Sequence, residues 1–511
     1  MYYPNEDEFK QLATKGNLIP VTRQILADFD TPVSAYWKLR GKGETFLFES
    51  VEGGEHLGRY SFVGCNPKAV IRQWDDQVEL CEQGKPKKTS YIKRKLTDAG
   101  SSDVQDALEV VEAYLTRYQP VTLPALPNRF TGGAVGFIGY EFIHDVESVV
   151  PCPERNELGT PTVYFLITDE LLVFDRVSQT ITIIVNAKVE IGTDSDLTSG
   201  YQAAVGRIKT LIKALSQPVQ YKPASLHQDA PPLDFQSNME KDRFLTNVIK
   251  AKNYIRAGDI IQVVGSQRFS APVSASPLDV YRAARSINPS PYMFLLELES
   301  MALVGASPEI HVRSESGQVE IRPIAGTRPR GKTREQDLAN EAELLADPKE
   351  RAEHVMLVDL ARNDIGRVCE FESVQVKDFM VIERYSHVMH IVSQVEGRLT
   401  RDKTSYDLMR ATFPAGTLSG APKVRAMQII SEFEKTQRGP YGGCVGYFSY
   451  SGNLDCCITI RTALMKDGKA YVQAGGGWVN DSNPEMEYQE TINKAKSMIK
   501  TIALAESFSP A

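Results

Sequence analysis

Two acidic clusters and one Gly/Pro-rich loop hold the residue types with which this 511-residue chain could do chemistry. The first cluster is Asp347-Pro-Lys-Glu350-Arg-Ala-Glu353. Asp347 before Pro348 predicts a helix N-terminus with proline at the first helical position. Glu350 can close a capping box there. Glu353 lies beyond the cap and shares a face with Glu350. The second cluster is Asn483-Pro484-Glu485-Met-Glu487-Tyr-Gln-Glu490, with Lys494 following. Asn483 caps, Pro484 starts the helix, and Glu487, Glu490 and Lys494 share a face. One such helix alone reads as a solvated charged face. Two of them facing each other set four carboxylates in mutual repulsion, which a cation relieves. Oxygen-only donors point to Mg²⁺ rather than Zn²⁺, and Mg²⁺ takes one or two carboxylates plus ligand oxygens and water.

The loop FPAGTLSGAPKVRAM (413–427) sets Thr417, Ser419 and Lys423 on a tight turn that runs into a helix. Backbone N–H groups, hydroxyls and a positive helix end suit an anion. Gly475 and Gly477, in QAGGG, allow close backbone approach, with ordinary tight turns as the plain alternative. Arg461, in TIRT, reads as a charge inside an apolar strand. It needs an anion or a carboxylate to meet it. Glu309, in GASPEI, follows a strand and a proline turn and reads alone as a solvated turn residue. His390, in YSHVMHIVS, points away from Met389 by strand alternation. The chain has no G-x-S-x-G, no Walker loop, no G-x-G-x-x-G after a strand and no Cys-His-Glu glutaminase arrangement. Spacing alone therefore stops at a Mg²⁺-dependent enzyme acting on a small polyanion.

The elements that must position these groups are legible in outline. Helices are predicted over 104–118, 201–215, 335–364, 420–435 and 484–506, and strands over 61–64, 162–168, 171–175, 180–186, 301–305, 458–465 and 469–475. Strand pairs and helices interleave without strict β-α-β alternation, which predicts α+β with antiparallel sheets. GGAVGFIGY (132–140) and GGCVGYFSY (442–450) echo each other. Chance and an ancient duplication are both open readings. Residues 216–239, rich in Pro, Gln and Ser, read as a domain linker or as a surface crossing. They divide the chain into regions 1–215 and 240–511.

A formal charge of -7 gives no general attraction to nucleic acid or anionic membrane. Seven irregularly spaced cysteines without C-x-x-C fit thiols in a reducing cytosol, so a cytoplasmic location is expected. The polar, acidic N-terminus lacks the features of a signal peptide. No apolar run approaches the ~20 residues that span a bilayer.

PIAGTRPRG (323–331), KERAEHVMLVDLARNDIGRV (349–368), VMH (388–390), PAGTLSGAPKVRAM (414–427) and NPEMEYQETINKA (483–495) occur together, and in this order. In them the chain closely resembles the large, chorismate-using subunits of anthranilate synthases, over nearly its whole length. The resemblance implies a four-layer α/β/β/α fold with two orthogonally packed antiparallel sheets. It implies Mg²⁺ held by Glu353 and Glu490, with Glu350 and Glu487 as outer ligands through water. Arg461 and Tyr441 match residues that grip the enolpyruvyl carboxylate of chorismate. Gly326, Thr327, Gly416, Thr417, Gly475, Gly477 and Lys494 match positions around the substrate, while Lys423 falls back to a helix-surface or structural residue. Glu309 matches a general acid for the departing C4 hydroxyl, and His390 a residue near the C2 proton. Glu49 and Ser50, with Pro291, Tyr292 and Met293 of NPSPYMF (288–294), match a tryptophan feedback site; Cys457 and Arg59 match it more loosely.

The same resemblance implies a separate glutamine amidotransferase small subunit as ammonia donor, and L-tryptophan as inhibitor. Ala325 stands where one type of aminodeoxychorismate synthase has a nucleophilic lysine, and Gln262 where isochorismate and salicylate synthases have a water-activating lysine. Both favour direct attack by ammonia. Trp478, in AGGGWV, is bulkier than its counterparts. The competing readings are a 4-amino-4-deoxychorismate synthase and a tryptophan-binding regulator with a dead active site.

Overall fold

The computed structural model describes residues 1–511 apart from 42, 51–57, 94–102, 125, 127–128, 154, 190–193, 221–223, 225–232, 386–387 and 509–511. Two large sheets organise the chain, one of 12 strands and one of 13. Among the described residues every pairing of these strands is antiparallel except the short one between Lys88–Ile92 and Asp103–Val104. Strand alternation builds the layers. In the first sheet Leu47, Val63, Leu172 and Leu295 face a core shared with the helices Pro277–Ile287 and Pro484–Glu506. Their neighbours Phe46, Phe62, Val173 and Phe294 face Phe137, Tyr164, Val445 and Tyr447 of the second sheet. The other face of the second sheet, with Ile138, Phe165 and Phe448, packs under helices that include Pro348–Gly366 and Lys423–Phe433. Three apolar cores thus separate four layers, α/β/β/α. Both faces of both sheets are covered, and the central strands are apolar throughout.

Both sheets are assembled from both ends of the chain. The first sheet joins them at Thr45–Glu49 against Tyr292–Glu297, the second at Gly133–Ile138 against Cys444–Ser449. Outward from the first join the order is Tyr60–Cys65, Glu170–Asp175, Thr180–Lys188, Leu18–Leu26 on one side. On the other it is Ala302–Ser307, Thr462–Lys466, Lys469–Trp478, Gln262–Pro272. The second sheet repeats the pattern: Val163–Thr168, Ala69–Trp74, Gln77–Glu82 on one side; Leu454–Ile458, Ile310–Glu315, Gln318–Ile321 on the other. Matched strands follow the same chain order, which is the arrangement of an internal duplication. The two echoing segments are each other's partners, with Gly136 opposite Gly446. Both positions exclude a side chain: a β-carbon would lie 1.8 Å from Tyr164 O at Gly136 and 2.1 Å from Asp455 O at Gly446.

The stretch 458–465 is not one strand. Leu454–Ile458 belongs to the second sheet and Thr462–Lys466 to the first. The chain changes sheets through 459–461, with Arg461 at φ 51°. A second crossing runs from Ala302–Ser307 to Ile310–Glu315 and carries Glu309. Backbone bonds tie the two together: Ile458 N–H donates to Glu309 O (3.0 Å) and Ala306 N–H to Arg461 O (3.1 Å). At the matching crossings of the other half stand Lys68 and Asp169, which pair with each other at 3.7 Å. The predicted helix 335–364 is two helices, Arg334–Ala346 and Pro348–Gly366, because Asp347 ends one and caps the other. The helix expected at 420–435 starts at Lys423, after the short strand Gly420–Ala421. Most of 221–232 in the expected linker lies outside the described residues.

Candidate active site and a second pocket

Glu309 and Arg461 stand on the two chain crossings that backbone bonds tie together. The Glu309 carboxyl is 8% exposed, and burial pushes its pKa up to about 8. The Thr417 hydroxyl offsets part of that rise, although its oxygen has no partner of normal hydrogen-bond geometry. Lys494 offsets a little more. Arg461 is open to water yet surrounded by protein, and that surrounding lowers its pKa. A guanidinium reached only through a cleft has both properties, and its accessibility is what a ligand meets. Tyr441, whose pKa burial raises, acts on it electrostatically from the adjacent loop.

His390 stands opposite on the strand Val388–Arg398, while Met389 beside it is fully buried, as alternation requires. Its Nδ1 lies 2.8 Å from Gly326 O and 3.1 Å from Thr327 Oγ1. Burial lowers its pKa, which favours a neutral ring. Gly326 needs its missing side chain: its φ is 65°, and a β-carbon would sit 3.1 Å from Glu350 Oε2.

The two acidic helices approach each other near Lys494, which acts on carboxylates of both. Asp347 accepts from the N–H groups of Lys349 and Glu350, and Asn483 from those of Glu485 and Met486. Glu350 does not close a capping box; its carboxylate goes to Arg328 at 3.2 Å. Gln262 Nε2 donates to Glu353 Oε1 (3.4 Å). Burial raises the Glu353 pKa and Glu350 adds to the rise. Burial likewise raises that of Glu487, aided by Glu490. A β-carbon on Gly476 would lie 3.3 Å from Glu487 Oε2 and 3.4 Å from Glu490 Oε1. Lys494 pairs with Glu490 at 2.7 Å and donates to Gly475 O at 3.0 Å. It also acts on both Glu353 and Glu487.

A hard divalent cation fits this donor set. All the donors are carboxylate oxygens, and Glu487 Oε2 is buried with no hydrogen-bond partner. Among the described residues no three His, Cys, Asp or Glu side chains are placed together so as to hold a metal ion. A cation here would take its remaining oxygens from ligand and water. Gly477 is equally constrained, since a β-carbon there would lie 2.3 Å from Gln262 Nε2. Gly477→Ala should push Gln262 off Glu353 and lower activity by ~10²-fold with the fold intact. Steady-state kinetics beside a circular-dichroism melt checks this.

Part of the sequence reading of the loop 413–427 does not hold. Ser419 is fully buried and bonds to Ala415 O. Lys423 Nζ is taken by Asp364 (2.7 Å), Pro414 O (2.8 Å) and Thr412 O (3.1 Å). Neither can cradle an anion; Gly416 and Thr417, in the turn Gly416–Leu418, remain beside Glu309. Trp478 turns into the core, 1% exposed, against Phe244 and across Gly265.

Arg438 escaped sequence reading. It is buried, pairs with Glu434 at 2.7 Å and donates to Leu418 O (2.9 Å) and Val264 O (2.8 Å). Its backbone N–H donates to Glu141 Oε1 (2.7 Å). One guanidinium thus fastens the Thr417 turn to the strand opposite Gly477, beside the loop that carries Tyr441. The i,i+4 spacing of Glu434 and Arg438 was the available signal.

A second pocket of about 70 Å³ lies between the sheets at their joins. Phe48, Glu49, Ser50, Pro291, Tyr292, Met293, Tyr447 and Cys457 are among its lining residues. Tyr281 Oη donates to Glu49 (2.6 Å), and Arg285 pairs with it at 3.2 Å. Tyr292 Oη donates to Asp455 (2.9 Å) and accepts from Arg313 (2.9 Å). Arg59 stays outside, paired with Asp175.

Residues 45–500 match the family model of chorismate binding enzymes. The chain is 47% identical over 508 residues to an anthranilate synthase component 1 of Acetivibrio thermocellus, covering 98% of this chain and 99% of that one. The crystal structure of anthranilate synthase component I from Streptococcus pneumoniae superposes with a TM-score of 0.73 at 36% identity, over 93% of this chain and 99% of that one. A menaquinone-specific isochorismate synthase from Escherichia coli, 18% identical with a TM-score of 0.67 over 98% of both chains, shares the fold. With duplicated sheets, an acid and an arginine at paired crossings, and full-length likeness to these relatives, the chain belongs to the chorismate-binding enzymes, in the anthranilate synthase component 1 family.

Proposed function

We propose that the chain is the chorismate-using subunit of an anthranilate synthase, a Mg²⁺-dependent carbon–oxygen lyase. It would convert chorismate and ammonia to anthranilate, pyruvate and water, the first step committed to tryptophan. The observation that carries this reading is a buried carboxyl, Glu309, whose raised pKa keeps it protonated at neutral pH beside an open arginine.

Arg461 and Tyr441 grip the enolpyruvyl carboxylate. Glu353 and Glu490 would hold Mg²⁺, with Glu350 and Glu487 outside them. When bound, the ion neutralises and orients the ring carboxylate. Lys494 and the backbone at Gly326, Thr327, Gly416, Gly475 and Gly477 line the remaining surface, with Thr417 beside the acid. Glu309 gives its proton to the C4 hydroxyl, which leaves as water while ammonia adds at C2. Neutral His390 then accepts the C2 proton as pyruvate departs and the ring becomes aromatic. Ala325 offers no nucleophile, and Gln262 donates to Glu353, so neither a covalent adduct nor an activated water competes.

Ammonia comes from a glutamine amidotransferase small subunit. Among the described residues no helix is long and apolar enough to cross a membrane. A cytosolic enzyme fits that and the seven free thiols. Region 240–511 would carry the catalytic groups, and region 1–215 part of a tryptophan site at Glu49, Ser50, Pro291, Tyr292 and Met293. There the aromatic walls suit an indole and Glu49 an ammonium.

Anthranilate fluorescence from chorismate, ammonium and Mg²⁺ tests the reading. A non-fluorescent aminated product would assign the chain to 4-amino-4-deoxychorismate synthesis instead. Glu49→Gln should weaken tryptophan inhibition by ~10-fold or more, measured as the shift in its half-inhibiting concentration.

A further inference from the structure

His311 lies two residues beyond Glu309, in the strand Ile310–Glu315. It is the extra residue of a β-bulge: Ile310 pairs with Cys457 and Val312 with Cys456. A bulge re-aims a side chain. Here the imidazole is 3% exposed, its Nε2 3.2 Å from Thr412 Oγ1. The Thr412 hydroxyl donates its own proton to Leu408 O (3.0 Å). Its oxygen therefore accepts from His311 Nε2–H, which leaves the lone pair on Nδ1. Burial holds the imidazole pKa down at about 3, so the ring is neutral. Nδ1 is buried and has no partner in the protein.

His311, Glu309 and Thr417 line one small cavity of about 30 Å³. Thr417 Oγ1 is a second buried polar atom there without a partner. Two unsatisfied polar atoms beside a carboxyl make a setting for ordered water, which bonds to about three such groups. The charged groups nearby are accounted for. Asp364, on the cavity wall, is held by Lys423, which also lowers the His311 pKa. Lys494 acts on Glu309 from the helix Pro484–Glu506, and Arg461 stands on the adjoining crossing.

We propose that this cavity is a water site, and that His311 is a positioning residue for Glu309 acting through that water. The inference rests on the reading of Glu309 as general acid. The water accepts from Thr417 Oγ1–H and donates one proton to His311 Nδ1 and the other to one Glu309 oxygen. That oxygen is thereby fixed as the carbonyl, and the carboxyl proton sits on the oxygen facing the substrate hydroxyl.

The test compares His311→Leu, His311→Asn and Glu309→Gln by the pH profile of kcat with ammonium as nitrogen source. His311→Leu removes the acceptor. It should lower kcat by ~10-fold at unchanged KM. A hydrogen bond donated to a carboxyl favours the anion, so losing it moves the basic limb to higher pH. His311→Asn keeps an acceptor near the Nδ1 position and should restore both the rate and the limb. An inactive Glu309→Gln beside a His311→Leu with parental rate and limb overturns the water site alone. Leu and Asn variants impaired alike overturn it as well. A Glu309→Gln enzyme with parental turnover overturns both this and the reading of Glu309.

Discussion

Glu309→Gln should lower turnover by ~10²- to 10⁴-fold while chorismate binding persists, because amide and acid have the same shape but only the acid can give a proton. The parent's activity should fall as pH rises through about 8, where the Glu309 carboxyl ionises, and this limb should vanish in the variant. Stability supplies an independent check. The folded-state pKa of Glu309 lies above its ordinary value of 4.5. The folded protein thus holds a proton that the unfolded chain gives up. Glu309 therefore lowers stability progressively as pH rises from about 4.5 to about 8, and the cost persists above that. Glu309→Gln removes that cost, so the inactive variant should melt higher than the parent near pH 8. Such opposition between activity and stability is expected where a fold holds a destabilised catalytic group.

Arg461→Gly should raise KM for chorismate by ~10²-fold or more, since a charge-assisted, two-pronged hydrogen bond contributes about 1.5–3 kcal/mol and its loss leaves a carboxylate unmatched. Melting temperature should change little. Arg461 sits at φ 51°, a conformation that suits glycine, and no ion pair of the fold depends on it among the described residues. Arg461→Lys keeps the charge but loses the planar fork, and should recover only part of the affinity. A large fall in Tm for the glycine variant would recast Arg461 as a structural residue. Kinetics and a thermal melt on the same preparations separate the two.

The acidic helices were legible because a cap is a local signal: Asp347-Pro348 and Asn483-Pro484 fix the helix starts, and the starts fix which glutamates share a face. Position within the sheets was not. ITIRTALM reads as one strand because each residue in it tolerates extended backbone. Nothing local says that its two halves belong to different sheets. That crossing is what turns Arg461 from a charge in a strand into an exposed group, and its partner crossing turns Glu309 from a solvated turn residue into a buried carboxyl. The echo at 132–140 and 442–450 hinted at the duplication that creates both crossings, but only the pairing of the two segments with each other settles its meaning. His311 stayed invisible because a bulge depends on the register of the neighbouring strand. For Lys423 spacing alone suggested an anion and the family resemblance a structural residue; three oxygens of the fold hold it, as the resemblance implied.

The second pocket lies against strands that lead to the candidate active site. Tyr447 and Cys457, on its wall, belong to the strands Cys444–Ser449 and Leu454–Ile458. Those strands lead directly to the loop of Tyr441 and to Arg461.

The account turns on ammonia attacking chorismate with Glu309 as acid and no covalent intermediate. The most direct test incubates the isolated chain with chorismate, Mg²⁺ and nitrogen-15 ammonium, and follows products by NMR and the protein by intact mass. The account predicts labelled anthranilate, pyruvate released in equal amount and an unmodified protein mass. Labelled 4-amino-4-deoxychorismate, isochorismate or a protein–substrate adduct would contradict it.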